Sequence, residues 1–241
     1  TIPDEAAGRG KKAETDNEFA RLDPRFLETP GYAVEQCRQM TVKMAELTKQ
    51  CLFTAVGLLK EYDKEKAAEV IRLEDLVDKY EDELGTYMVK LGRQNLSKND
   101  NHTVSLLLHC IGDFERISDH GMNLMSAAKE MHEKKMVFSE RAEKELDVFL
   151  AAVHEIVETA VSAFENNDSK QASFVEPLEE VIDIMVEKLR DQHIKRLKDG
   201  ACSIDTGVVY LDVLNNVERI SDHCSNIAAR GGAWGDVETE Q

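Results

Sequence analysis

Beyond Pro30 the apolar residues recur at steps of three and four: Val34, Cys37, Met44, Leu47, Cys51 and Ala55 trace one stripe. That period predicts a first helix of about 30 residues ending near Tyr62. A matching stripe through Leu146, Phe149, Leu150, Val153, Ile156 and Val157 runs to the turn signal Asn166-Asn167-Asp168. After each of these, the pattern predicts a second helix, over 66–92 and 169–197, and a third, over 103–132 and 205–229. Polar, Asn- and Gly-bearing joints separate them at Gly92 to His102 and at Lys198 to Asp205. Pro177 falls inside the predicted second helix of the later half, where a missing N–H predicts a kink or a late start. The expected fold is all-α, with six helices in two tandem three-helix bundles.

The halves are copies of one another. Glu115-Arg116-Ile117-Ser118-Asp119-His120, followed by Asn123, returns 103 residues later as Glu218-Arg219-Ile220-Ser221-Asp222-His223, followed by Asn226. Farther upstream, Val70, Leu73, Glu74, Val77, Asp78 and Leu84 have counterparts 105 residues on at Val175, Leu178, Glu179, Ile182, Asp183 and Leu189. A period this long marks duplication of a whole helical unit, and the two-residue slip must lie in a loop. The chain therefore divides into a polar linker over 1–29, one repeat over 30–135, a second over 136–230, and a tail over 231–241.

Charge narrows the function. A formal net charge of -17 over 241 residues repels phosphate backbones, and no basic patch offsets it, so nucleic acid is not an expected partner. Cys37, Cys51, Cys110, Cys202 and Cys224 are widely spaced and form no Cys-x-x-Cys, as expected of reduced thiols in a cytoplasmic protein. No run of about 18 apolar residues is present to span a bilayer. The first residue is Thr1 and the opening stretch is polar, as in a fragment of a longer protein.

Four Glu-x-x-x-Asp pairs stand out: Glu74/Asp78, Glu115/Asp119, Glu179/Asp183 and Glu218/Asp222. At 3.6 residues per turn each pair stacks two like charges on one helical face, a repulsion of a few tenths of a kcal/mol, roughly, in an isolated helix. A solvated face is the ordinary explanation of any one pair, but four at equivalent positions ask for more. In an antiparallel hairpin, Glu74 opposite Asp119 and Asp78 opposite Glu115 share one index sum, which centres the turn between residues 96 and 97. The equivalent pairings of the second repeat centre it between 200 and 201, at Gly200-Ala201. Both centres fall in predicted loops, so each hairpin sets four carboxylates at one level, and one hand of the bundle makes them converge. Four hard oxygen donors suit magnesium, manganese or iron, or zinc with added water. Asn123 and Asn226, one turn further along, are candidates to add an amide oxygen or hold a ligand water. Arg116 and Arg219 are expected to pair with Asp113 or other acids, and His120 and His223 to lie off the carboxylate face.

The doubled Glu-Arg-Ile-Ser-Asp-His-x-x-Asn, with its upstream Glu-x-x-x-Asp partners, resembles the PhoU domain, a six-helix regulator of phosphate uptake, over about residues 30 to 230. The resemblance implies a metal cluster on each repeat, with Glu74, Asp78, Glu115, Asp119, Glu179, Asp183, Glu218 and Asp222 as ligands. Ser97-Lys98-Asn99-Asp100-Asn101-His102-Thr103 and Cys202-Ser203-Ile204-Asp205-Thr206 replace the Pro-Val-Ala-x-Asp-Leu-Arg type sequence usual before the third helix in free-standing members. Leu22-Asp23-Pro24-Arg25-Phe26-Leu27-Glu28-Thr29-Pro30 is similar to the stretch joining membrane and cytoplasmic portions in bacterial sodium/phosphate cotransporters. The resulting expectation is a cytoplasmic regulatory domain of such a cotransporter, held at the inner face of the plasma membrane. Its expected partners are the membrane-embedded part of the transporter, a second copy of the chain, and phosphate by an indirect route. A free-standing PhoU-type regulator and a purely structural helical module are the alternatives. Catalysis is not expected: a ferritin-like site needs Glu-x-x-His, no histidine here has Glu three residues before it, and no phosphate loop or nucleophile triad is present.

Overall fold

The computed structural model describes residues 18–231, and within them the chain is helical. Six long helices form: α1 (Pro30–Leu58), α2 (Lys64–Leu91), α3 (Lys98–Lys134), α4 (Glu140–Asn166), α5 (Val175–Lys198) and α6 (Ile204–Gly231). The first three pack as one bundle and the last three as a second, as the duplication predicts.

Local chemistry explains the boundaries. Asp63 caps α2 by accepting from Lys66 N at 2.8 Å, and Ser139 caps α4 by accepting from Ala142 N at 3.3 Å. Ser97 accepts from Asp100 N at 3.0 Å while its own hydroxyl donates to the Asp100 carboxylate at 2.7 Å. This box starts α3 five residues before the predicted position, because Lys98 to His102 read as a loop until the cap is recognised. Pro177 acts as expected. A four-residue helical turn, Ser169–Ala172, ends short of it, and α5 restarts at Val175, which puts the proline in a first turn where no N–H is needed. Gly200, at φ +68, makes the left-handed step in the short connection to α6.

Within the predicted linker, residues 18–29 pack on the first bundle. Residues 1–17 lie outside the described residues, as do 232–241 of the predicted tail. Phe19–Leu22 and Pro24–Glu28 form two 3-10 turns that dock on the first bundle. Phe19 packs on Tyr80 at 4.8 Å between ring centroids, the Tyr80 hydroxyl donates to Glu18 at 2.8 Å, and Tyr87 donates to the Asp23 carbonyl at 3.1 Å.

The repeats meet mainly through α3 and α6, which run antiparallel, and through α1 and α4. Phe114, wholly buried, stands edge-on to Phe164 at 5.2 Å, and Phe53 stacks on His154 at 4.0 Å. A two-fold relation emerges from the polar contacts of α3 with α6. His120 Nδ1 lies 2.9 Å from Asn216 Oδ1, and Asn123 donates to the same oxygen at 3.0 Å. At the repeat offset, His223 Nδ1 lies 2.9 Å from Asp113 Oδ1, and Asn226 donates to it at 3.4 Å. His120 and His223, equivalent to each other, stack at 5.8 Å on the axis itself.

The five cysteines are free, and all but Cys202 are buried. No helix among the described residues is long and apolar enough to cross a membrane.

Candidate metal centres

Position by position, the repeated motif now has a physical assignment. Ile117 and Ile220 are core residues. Ser118 and Ser221 are buried and bond back to the Glu115 and Glu218 carbonyls at 2.7 Å each, which lets a small polar side chain sit where helices cross. His120, Asn123, His223 and Asn226 form the inter-repeat clasp. The two asparagines therefore do not serve the acidic clusters, as the sequence suggested. Asp113 is also not taken by Arg116 or Arg219: its carboxylate is held by His223 and by Arg230, while Arg219 pairs at the surface with Asp222 at 3.3 Å.

The carboxylates do converge. Glu74, Asp78 and Asp119 offer one oxygen each, and these oxygens lie within 4.8 Å of one another; the same holds for Glu179, Asp183 and Asp222. Each trio draws two residues from the middle helix of its bundle and one from the third, three of the four carboxylates that the index sums set at one level. The fourth member differs between copies. Among the described residues Glu115 has no cationic partner, and it lies close enough to Asp119 to feel its charge, though it is not one of the trio. Glu218 is instead drawn into an ion pair with Arg190, at 2.6 Å, a partner invisible to the repeat pattern because the equivalent position is Gly85. Glu81, beside Asp78, is a further acid that the Glu-x-x-x-Asp spacing did not single out.

Burial, and then crowding of like charges, raise the proton affinity of five of these groups. Burial first, and then the Asp119 charge, push Glu115 up to about 7. Glu74 is raised by burial and by Asp78, and Asp78 by burial and by Asp119. In the second copy, burial and Asp183 raise Glu179, and burial and Asp222 raise Asp183. A folded state that holds protons the unfolded chain releases is most favoured below the unfolded value, and the advantage disappears as pH rises through the folded one. For Glu115 this window runs from its ordinary 4.5 to about 7. Metal-free protein should lose stability over that interval, and Glu115→Gln should flatten the slope. Urea midpoints measured in chelator from pH 5.5 to 7.5 check this; equal slopes for the two proteins would count against it.

The donor set fits a hard cation. Every candidate ligand atom is a carboxylate oxygen, and Asp183 Oδ1 is buried without a hydrogen-bond partner. A cation at such a site would satisfy that oxygen and cancel the repulsion within the cluster.

Comparison with known proteins gives a consistent result. A family model described as PhoU domain matches residues 41–128 and 149–231, one stretch in each repeat. The phosphate-specific transport system accessory protein PhoU homolog 1 of Thermotoga maritima is 26% identical over 187 residues, 77% of this chain and 79% of that protein. A PhoU homolog bearing the same accessory-protein description in Streptococcus pneumoniae is 21% identical over 198 residues, 82% of this chain and 90% of that one. Among solved structures, PhoU from Pseudomonas aeruginosa is similar with a TM-score of 0.75 at 23% identity, covering 82% of this chain and 94% of that one. The phosphate transport system regulatory protein PhoU from Streptococcus pneumoniae is similar with a TM-score of 0.76 at 20% identity, covering 88% and 99%. These likenesses agree with the all-helical, two-repeat architecture.

Proposed function

The chain belongs to the PhoU domain family, and from that premise we infer that it is a non-catalytic accessory regulator of phosphate transport that carries metal on two carboxylate clusters. The observation behind the metal is the convergence of two acidic trios at equivalent places in the two bundles, one of them with a buried, unpartnered oxygen. Glu74, Asp78, Glu115 and Asp119 would hold the first metal centre, and Glu179, Asp183, Glu218 and Asp222 the second. Bound iron, manganese, magnesium or zinc would supply positive charge for anionic groups to meet on an otherwise acidic surface. Each cluster joins the two helices of a hairpin, so its occupancy bears on how those helices pack against one another and against a transporter component.

The relatives favour a free-standing accessory regulator over the cotransporter domain that the Leu22 to Pro30 stretch suggested. Those described above are named for the phosphate-specific transport system, and the matches cover 79% and 90% of their lengths. Cytoplasmic location, attachment at the membrane and pairing with a second copy belong to this reading. Two measurements test it. Elemental analysis of protein prepared without chelator should find metal in the wild type and none after combined Asp119→Ala and Asp222→Ala replacement. Uptake of radiolabelled phosphate by the source cells should change when the chain is removed and recover with the wild type but not with that double variant. Unchanged metal content would end the metal reading, and unchanged uptake would end the regulatory one.

A further inference from the structure

The two clusters differ in what already occupies them. In the second, Arg190 Nη2 donates to Glu218 Oε2 at 2.6 Å and to Asn215 Oδ1 at 2.7 Å, so the guanidinium is held in place from two sides. At the repeat offsets the positions of Arg190 and Asn215 are Gly85 and Gly112. Both members of this arm are therefore missing from the first copy. Space does not explain the difference. A Cβ at Gly85 would come no nearer than 3.7 Å to Ile111 Cδ1, and one at Gly112 would meet nothing within 4 Å. Among the described residues no ion pair holds Glu74, Asp78, Glu115 or Asp119. Arg219 also pairs with Asp222, at 3.3 Å and within one helix, while Arg116 at its counterpart forms no such pair with Asp119. That contact is a second, more exposed difference, but a cation is available there in both copies, whereas at the Arg190 position only the second copy has one.

We propose that Arg190 is a resident counter-cation of the second cluster, positioned by Asn215, which a metal must displace from Glu218, so that the first cluster loads before the second. This rests on the metal reading above and adds an order of loading to it. Displacement is physically open, since the Arg190 and Glu218 side chains keep 35% and 30% of their exposure and the guanidinium can swing into water. A metal entering the first cluster meets only carboxylates. One entering the second must separate a charge-assisted pair or bind with one carboxylate fewer.

Manganese(II), followed by titration calorimetry on metal-free protein, is the probe. Asp222→Asn leaves the first cluster intact and Asp119→Asn leaves the second, so the pair of variants reports each site alone. The first site should bind up to about fivefold more tightly than the second, the scale set by losing one partly exposed ion pair. Arg190→Gln in the Asp119→Asn background should recover that factor. The reciprocal graft, Gly85→Arg with Gly112→Asn in the Asp222→Asn background, should weaken the first site by a similar factor, and it does not depend on how any Arg190 variant folds. Equal affinities that neither change moves would overturn the proposal and leave the metal reading standing. Wild-type protein that binds no manganese(II) would overturn both.

Discussion

Asp113→Ala should lower stability by about 3 kcal/mol, a fall of roughly 6–12 °C in the melting temperature of a chain this size. The Asp113 carboxylate is nearly buried and accepts from the His223 ring, from Asn226 and from Arg230. Removing it leaves the partly buried Arg230 guanidinium and the nearly buried His223 ring nitrogen without their carboxylate, and the cost of stranding such groups exceeds the worth of the pair. Asp113→Asn should be milder, at about 1 kcal/mol, because the molecule contains that solution already: Asn216 accepts from His120 and Asn123 across the axis. Chemical denaturation of the two variants beside wild type checks both figures. If the alanine variant matched the wild type, the clasp would be decorative.

Phe114→Ala should cost about 4 kcal/mol. The ring is wholly buried, packs edge-on against Phe164 of the other repeat, and lies next to the point where Thr48 of α1 donates to the Phe114 carbonyl at 3.3 Å. Three helices from two repeats converge on it, so a cavity there cannot close by moving one element. The loss should appear as a shift in the urea midpoint of a single transition. Two separate transitions in the wild type would mean that the repeats unfold independently, and the contact of α3 with α6 would then carry less than its burial implies.

The within-repeat structure was open to reading because it depends on two periods, 3.6 residues for the helices and about a hundred for the duplication. The apolar stripes located all six helices, and equal index sums put Glu74 opposite Asp119 and Asp78 opposite Glu115, of which Glu74, Asp78 and Asp119 do converge. Contacts between the repeats follow neither period. Nothing in the spacing of α3 says that Asp113 faces His223 and Arg230 rather than Arg116, or that Asn123 turns toward Asn216 instead of a metal. Arg190 was missed for a related reason: reasoning from what the copies share passes over a position where one has arginine and the other glycine. The start of α3 is illegible in the pattern because Ser97 and Asp100 are loop formers by type, while in the fold they close a cap together.

The two-fold axis through His120 and His223 also bears on how chains avoid misassembly. Each repeat presents the surface that a self-pairing dimer would present, so two first repeats, or two second repeats, from different chains have matching shapes. The polar residues oppose both arrangements. Two first repeats would bring Asp113 against Ala127, the counterpart of Arg230, and leave the acid without its guanidinium. Two second repeats would bring Arg230 against Asn216, a cation without its acid. Only a first repeat joined to a second puts Asp113 beside Arg230. A single charge pair, with its carboxylate nearly buried, thus makes unlike repeats prefer each other to copies of themselves, which disfavours like-with-like pairing of repeats between chains.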